Sequence, residues 1–374
     1  MAKEYSDNRS RFKPTRIKDI AAKAGVSVGT VDRVIHNRGR VSDTVHKRVV
    51  KILEEMNYEP NVLARALVSS NKYNIAALIP DPRYDNYWEA PKQGVEMAEK
   101  ELGQYGVDIN EYLFNPFDAE SFKRAAEKVT ATKVSGILTA PIFYRESLSF
   151  QSRWRRQDIP FSLFNTHIPD YEPLVYVGQD SYQSGVLAAK LLHICKKAGG
   201  TFIIAHIDED YQNSSHLIKK EQGFVDFFEE HKLVSYNTVH AELSNCDNKR
   251  IFYKQIKTLF DSYKDISGFF VTTSRAHTIA NFLRDNCYKN ILLVGYDLIN
   301  QNIEHLDSGY VDFIINQNPK GQGYWGVYLL AEHLMFQNDV KPIKYLPLDI
   351  ITRENMHYYI SSEVKSSDFL RMPV

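Results

Sequence analysis

RIKDIAAKAGVSVGTVDRVIHNRGRVSDTVHKRVVKILEEMNYEPNVLARAL, residues 16–67, is the stretch whose periodicity decides the architecture. Ile17, Ile20, Ala21 and Ala24 fall at i, i+3, i+4 and i+7, one apolar face of a short helix that Thr15 can cap and Gly25 can stop. Ser27 can cap a second helix whose Val28, Val31, Val34 and Ile35 are expected to share a buried side, with Gly29, Thr30, Arg33 and His36 outward or flanking. A third helix carries Val45, Val49, Ile52, Leu53 and Met56 at helical spacing, so three apolar faces can close a miniature core. Two helices joined by a tight turn at Gly25 and backed by a third predict a helix-turn-helix, which lays its second helix in a DNA major groove. On that helix Arg33 is the side chain best suited to read base edges. Pro60 suits the first turn of a further helix ending at Leu67, an apolar wedge of the kind that enters a minor groove.

Charge separates this head from the rest. Residues 1–72 hold 15 Lys and Arg against 8 Asp and Glu, whereas the remainder holds 31 against 38, so a formal net charge of zero conceals a basic head on an acidic body. That asymmetry fits contact with phosphate through the head alone. A bare three-helix protein-docking element is the rival reading, and it gives the basic excess no purpose.

The head resembles the headpiece and hinge of the LacI-type (lactose repressor) family of bacterial transcription regulators. The resemblance rests on D-I-A-x-x-A-G-V-S at Asp19–Ser27, T-V-x-R-V at Thr30–Val34, V-S at Val41–Ser42 and N-Y-x-P-N-x-x-A-R-x-L at Asn57–Leu67. It implies that Val28, Gly29 and Arg33 read bases and that Ser27, Thr30 and Ser42 touch phosphate, with Ala64 and Leu67 in the minor groove. His36 and Arg40, beside the recognition helix, complete the expected DNA-binding set. Asp32 departs from the Ser usual in the family, which leaves operator preference open.

From Tyr73 onward short apolar runs alternate with amphipathic helices: NIAALIP, VDINEYLF, GILTAP, FSLF, LVYV, TFIIAHI, GFFVTT, ILLVGYD, FIIN and PIKYLPLDIIT, the last read as one strand. Such alternation predicts an α/β fold with parallel, doubly wound sheets, and its length predicts two lobes dividing near Gly199 and Gly200. The family resemblance extends here to a body like the periplasmic sugar-binding proteins, in which the chain crosses between lobes three times. It is carried by YWEAPKQGVEMAEKEL, V-S-G-I-L at Val134–Leu138, G-Q-D-S-Y-Q-S-G at Gly178–Gly185, Q-G-F at Gln222–Phe224 and V-G-Y-D at Val294–Asp297. The expected division is an arm 1–13, a DNA-binding domain 14–59, a hinge 60–72, a body 73–360 and a tail 361–374. Within the body, lobe 1 is expected over 73–198 and 317–340, and lobe 2 over 199–316 and 341–360.

Ligands of open α/β lobes bind beyond the carboxyl ends of the strands. That rule selects Asp81, Tyr84, Asp85, Tyr87 and Trp88 after the first strand, Phe143, Tyr144 and Arg145 after GILTAP, and Asn165 after FSLF. It adds Ser274 and Arg275 after GFFVTT, Asp297, and Gln317. Aromatic faces beside carboxylate, amide and guanidinium groups suit a polyhydroxylated ring. The resemblance implies sugar contact at Asp297 and Gln317 and places Lys220 where many relatives carry Arg. Thr273, Ser274 and Arg275 replace the Asn-Asp common in sugar-responsive members, and Arg145, Lys220 and Arg275 together could neutralise an acidic or phosphorylated sugar.

No cofactor is expected. Gly321–Gly326 (GQGYWG) matches a dinucleotide fingerprint, but the βαβ unit and acidic residue that must follow are missing, so its glycines are read as helix-packing residues. His167, His206, His216 and His240 lack the paired spacing of a zinc motif, and no nucleophile elbow occurs, so neither a metal site nor an enzyme is expected. Three cysteines without metal or redox spacing, no apolar leader and no membrane span fit a reducing cytoplasm. The expectation is therefore a homodimeric regulator that binds double-stranded palindromic operator DNA and is switched by a sugar-like effector. A sugar-transport solute-binding protein is the rival class; a regulator answering a nucleobase or other non-sugar metabolite is the rival effector reading.

Overall fold

The computed structural model describes residues 17–35, 39, 41–56 and 71–360. Expectations placed on Thr15, His36, Arg40, Ala64, Leu67, the arm and the tail lie outside the described residues. The chain divides into two compact units between Val68 and Ser69.

In the first unit, helices α1 (Ile17–Ala24), α2 (Val28–Ile35) and α3 (Asp43–Glu55) close around Ile20, Ala21, Ala24, Val31, Val34, Val49 and Ile52. Gly25, at φ +64°, ends α1 in the left-handed conformation that costs glycine least. Val26 N–H then donates to the Ala21 carbonyl at 3.1 Å, closing the turn. One expectation fails here: Val28 is 50% exposed, because the apolar stripe of α2 is centred on Val31 and Val34 and its first turn lies at the stripe's edge.

Two six-stranded sheets make the second unit. The first has the order β11-β5-β4-β3-β1-β2, from β1 (Tyr73–Pro80), β2 (Val107–Phe114), β3 (Gly136–Thr139), β4 (Phe161–Phe164), β5 (Val175–Gly178) and β11 (Ile343–Tyr345). The second has the order β12-β10-β9-β8-β6-β7, from β6 (Gly200–Ile207), β7 (Tyr236–Leu243), β8 (Ile266–Val271), β9 (Leu292–Tyr296), β10 (Phe313–Asn316) and β12 (Asp349–Ile351). Central strands are buried on both faces, as parallel sheets covered by helices require. Among the described strands only β12 is antiparallel, to β10.

The chain passes between the sheets after β5, after β10 and after β11. That corrects the expected lobe division in two places. The helix α7 (Ser181–Cys195), assigned to lobe 1, buries Ala188, Leu191 and Leu192 with Phe202, Phe224 and Phe270 of lobe 2. Residues 343–345, assigned to lobe 2, pair with β5 of lobe 1. PIKYLPLDIIT is thus two strands in different sheets, not one.

Each lobe pins a helix pair through glycines. In lobe 2, a Cβ on Gly185 of α7 would collide with the Lys220 carbonyl of α8 (Ser215–Glu230), and one on Gly223 of α8 with the Tyr182 carbonyl. In lobe 1, Gly94 of α4 (Glu89–Leu102) meets the Lys320 carbonyl of α12 (Pro319–Phe336) in the same way, and Gly323 meets the Pro91 carbonyl. Of the dinucleotide-like glycines, Gly323 thus serves close helix packing and Gly326 lets α12 approach Leu138 of β3.

Candidate functional site

Two surfaces carry the candidate residues. On α2, the Ser27 hydroxyl accepts from Thr30 N–H at 3.1 Å and pairs with the Thr30 hydroxyl at 2.9 Å, so the helix begins with a side-chain cap. Val28, Gly29 and Arg33 are exposed, as is Ser42 at the start of α3, so this edge of the unit is open to a partner.

In the second unit, the carboxyl ends of the two sheets face each other across a cleft enclosing a cavity of about 200 Å³. Tyr87, Trp88, Phe143 and Asn165 enter from lobe 1; Lys220, Ser274, Asp297 and Gln317 enter from lobe 2. Asn165 and Asp297 both sit at left-handed φ, +64° and +66°, on turns that leave the strand ends. Asp297 is fixed there by Asn302, whose amide donates to the carbonyls of Ser274, Tyr296 and Asp297 at 2.8, 2.9 and 3.0 Å. Gln317 Nε2 donates to both Asp297 oxygens at 3.1 and 2.9 Å. That leaves Gln317 Oε1 buried without a partner, and the buried Thr273 hydroxyl beside the same cavity is equally unpaired. Buried acceptors of this kind call for a donor from a bound molecule. Across the cleft, Asn165 Nδ2 donates to Tyr87 Oη at 2.8 Å, which leaves the phenol proton free to donate. Trp88 packs edge-on against Tyr87, with ring centroids 4.9 Å apart.

Polar contacts hold the lobes together around this cavity. Asn213 of lobe 2 accepts from Arg145 N–H at 3.0 Å and donates to Glu146 at 3.1 Å, both in lobe 1. Thr166 of lobe 1 and His216 of lobe 2 approach to 3.3 Å. Arg275 of lobe 2 lies 3.4 Å from Asp208 and 3.9 Å from Asp85 of lobe 1, its guanidinium 5.1 Å from the centre of the Phe117 ring.

The electrostatics correct the expected basic trio. Arg145 is exposed and meets the other lobe only through its backbone, and Arg275 is already matched by two carboxylates. Lys220 Nζ donates to the Thr272 carbonyl at 2.8 Å and lies 3.6 Å from the centre of the Tyr296 ring. Burial lowers its ammonium to about 8, against the opposing pull of Asp297 and Glu209. Burial likewise pushes the Asp297 carboxyl up to about 7, although Lys220 and Gln317 favour its ionised form. Beside Lys220 the cavity wall carries Asp85, Asp208, Glu209, Asp210 and Asp297. The lining is thus more acidic than basic, which does not favour an anionic ligand.

Asp81 and Tyr84 are also not at the cavity. Asp81 is buried and takes the Arg83 Nε at 2.9 Å, and Tyr84 is 53% exposed. Sequence reading missed Phe117, Asp208, Glu209, Asn213 and His216. The strand-end rule reaches Asp208 and Glu209, which directly follow TFIIAHI; Asn213 and His216 carry no such signal.

Comparison with known proteins supports both units separately. The profile of the bacterial regulatory proteins of the lacI family matches residues 16–61, and that of the periplasmic binding protein domain matches residues 75–338. The chain is 28% identical over 316 residues to the HTH-type transcriptional regulator MalR of Streptococcus pneumoniae, covering 80% of this chain and 88% of the relative. It is 26% identical over 288 residues to the sucrose operon repressor of Pediococcus pentosaceus, covering 75% and 82%. A crystal structure from Bacteroides fragilis assigned to the LacI transcriptional regulators superposes with a TM-score of 0.71 at 27% identity, covering 77% of this chain and 100% of that one.

Proposed function

Since the chain belongs to the lacI family of bacterial regulatory proteins and is a DNA-binding transcriptional regulator, we propose that its effector is a neutral monosaccharide held in the closed cleft. The observation that carries this reading is the pairing of unsatisfied buried acceptors at Gln317 and Thr273 with the Asp297 carboxylate, facing the Tyr87–Trp88 aromatic wall. Sugar hydroxyls donate to such acceptors, and the CH face of the ring packs on aromatic carbons. The sucrose operon repressor and the ribose operon repressor of Halalkalibacterium halodurans, relatives whose names refer to neutral-sugar operons, are consistent with it. Among the described residues no helix is long and apolar enough to cross a membrane. The regulator acts in the cytoplasm as a homodimer on a palindromic operator, since one headpiece contacts one half-site. Effector occupancy favours the closed lobe arrangement, and the shift in that equilibrium alters operator affinity.

A thermal-shift screen of the full-length protein against neutral sugars, uronic acids and sugar phosphates tests the effector class, because a ligand of the native state raises its melting temperature. A stabilising neutral monosaccharide is the expected hit. Stabilisation by uronic acids or sugar phosphates alone overturns the reading. Affinity for the hit is expected to rise with pH through about 7 and then level off, since hydroxyl donors favour ionised Asp297 and binding therefore releases its proton. Calorimetry at pH 6 and pH 7.5 reads this directly, and an equal affinity at both would remove Asp297 from the contact. For the head, Arg33→Ala is expected to cost about 1–3 kcal/mol at one base pair per half-site and to relax preference there. Binding-site selection with the variant that returned the wild-type sequence preference would show that α2 does not read bases through Arg33.

A further inference from the structure

Lobe 2 gathers three ligand-type side chains that the sequence keeps far apart. His206 lies near the end of β6, His240 lies on the neighbouring parallel strand β7, and Glu221 reaches them from α8. Glu221 Oε2 stands 2.9 Å from His206 Nε2 and 2.9 Å from His240 Nδ1. The three ligand atoms all lie within 4.8 Å of one another. Glu242, whose strand position pairs with His206, brings a further carboxylate oxygen to 3.4 Å from His240 Nε2. The Tyr211 ring covers both imidazoles, with centroid distances of 4.6 and 4.8 Å.

Hydrogen bonding around His206 says what the cluster lacks. The Thr272 hydroxyl donates to the Ala205 carbonyl at 3.2 Å and lies 2.8 Å from His206 Nδ1. A neutral His206 that donates from Nδ1 to Thr272 presents the bare lone pair of Nε2 to a Glu221 carboxylate oxygen 2.9 Å away, a contact that holds only with a cation, proton or metal ion, between the two atoms. The Thr272 bond is also the outer contact that metal-bound imidazoles use to fix tautomer and ring orientation. We propose that His206, Glu221 and His240 bind one divalent transition-metal ion of the zinc class. Two imidazole nitrogens and a carboxylate are the ligand types that suit zinc, and bonds of about 2.0–2.2 Å to a tetrahedral centre hold such atoms about 3.3 Å apart. The two Glu221–imidazole spacings of 2.9 Å open toward that value, and the two ring nitrogens, within 4.8 Å of each other, close toward it. His240 is 37% exposed, so the ion has a route in and a fourth position open to water.

The site is separate from the cleft but touches it through one residue. The Thr272 hydroxyl contacts His206 Nδ1 at 2.8 Å, and the Thr272 carbonyl accepts from Lys220 Nζ at 2.8 Å. The metal proposal does not depend on the identity of the effector.

The test uses full-length protein stripped with a chelator and titrated with Co²⁺, then with Zn²⁺ in competition with a chromophoric chelator. One equivalent is expected per chain, with visible cobalt bands of nitrogen and oxygen ligation and no thiolate charge-transfer band from the free cysteines. His240→Ala, at a partly exposed position, is expected to lower affinity at least 100-fold. Glu221→Gln is expected to lower it at least 10-fold, and His193→Ala to leave it unchanged. Absence of stoichiometric binding at micromolar metal overturns the proposal, as does binding that survives His240→Ala or carries the thiolate signature.

Discussion

Asp297→Ala abolishes the effector response while the ligand-free protein retains its operator affinity. The carboxylate is buried, is held by Gln317 at 3.1 and 2.9 Å, and borders the cavity that Gln317 Oε1 and Thr273 leave unsatisfied. Hydrogen bonds to a charged group contribute about 1.5–3 kcal/mol each, so losing the acceptor reduces effector affinity on the order of 100-fold or more. Alanine also loses the tolerance for left-handed backbone that Asp and Asn share, and Asp297 sits at φ +66°. Asp297→Asn separates the two effects: it keeps the turn and removes the ionised acceptor. It is expected to lose roughly tenfold in affinity together with all pH dependence near neutrality. Calorimetry on both variants, with operator binding measured in parallel, reads the result. An Asn variant that keeps both wild-type affinity and wild-type pH dependence would move the effector site elsewhere.

Gly185→Val is expected to cause a large loss of stability. Its added side chain has no room against the Lys220 carbonyl, so α7 and α8 must separate along their whole crossing. Overpacking of this kind costs roughly 3 kcal/mol, which lowers the melting temperature by roughly 5 °C in a unit of this size. Lys220 and His216 ride on α8, so the same change displaces the lobe 2 wall and weakens effector binding in whatever protein remains folded. Differential scanning calorimetry measures the first effect. A melting temperature within about 2 °C of wild type would mean that the two helices slide apart at little cost.

The head was legible because its signals are local. Gly25 supplies a left-handed turn, Ser27 a cap, and Ile20, Ala24, Val31 and Val34 a helical period, each within a few residues of its effect. Most strands of the body were legible too, since strands buried on both faces must be written as apolar runs. β7 was not: its YNTVHAEL pattern is largely exposed on the sheet edge and offers no such run. The helix α6 (Tyr144–Arg156) escaped for a related reason, as its buried face includes Ser147 and Gln151 beside Phe150 and Trp154. At the cleft, the strand-end rule found Tyr87, Asn165, Asp297 and Gln317, because topology alone places them. It could not tell that Arg275 is matched by Asp208 of its own lobe and by Asp85 of lobe 1, the second pairing made only when the two lobes meet. His206 and His240 read as scattered for the same reason: only strand register and the helix above them bring Glu221 between the two rings.

The three passages between the sheets also constrain how this protein comes off the ribosome. Lobe 1 begins at residue 73, yet α12 and β11 are translated only after nearly all of lobe 2 has emerged. Until then β5 is an uncovered edge, a surface on which another chain can pair. Lobe 2 waits in turn for β12, which closes it from residues 349–351. Neither half can finish vectorially, so a nascent chain stalled before residue 340 holds two incomplete sheets rather than one folded lobe and one unmade.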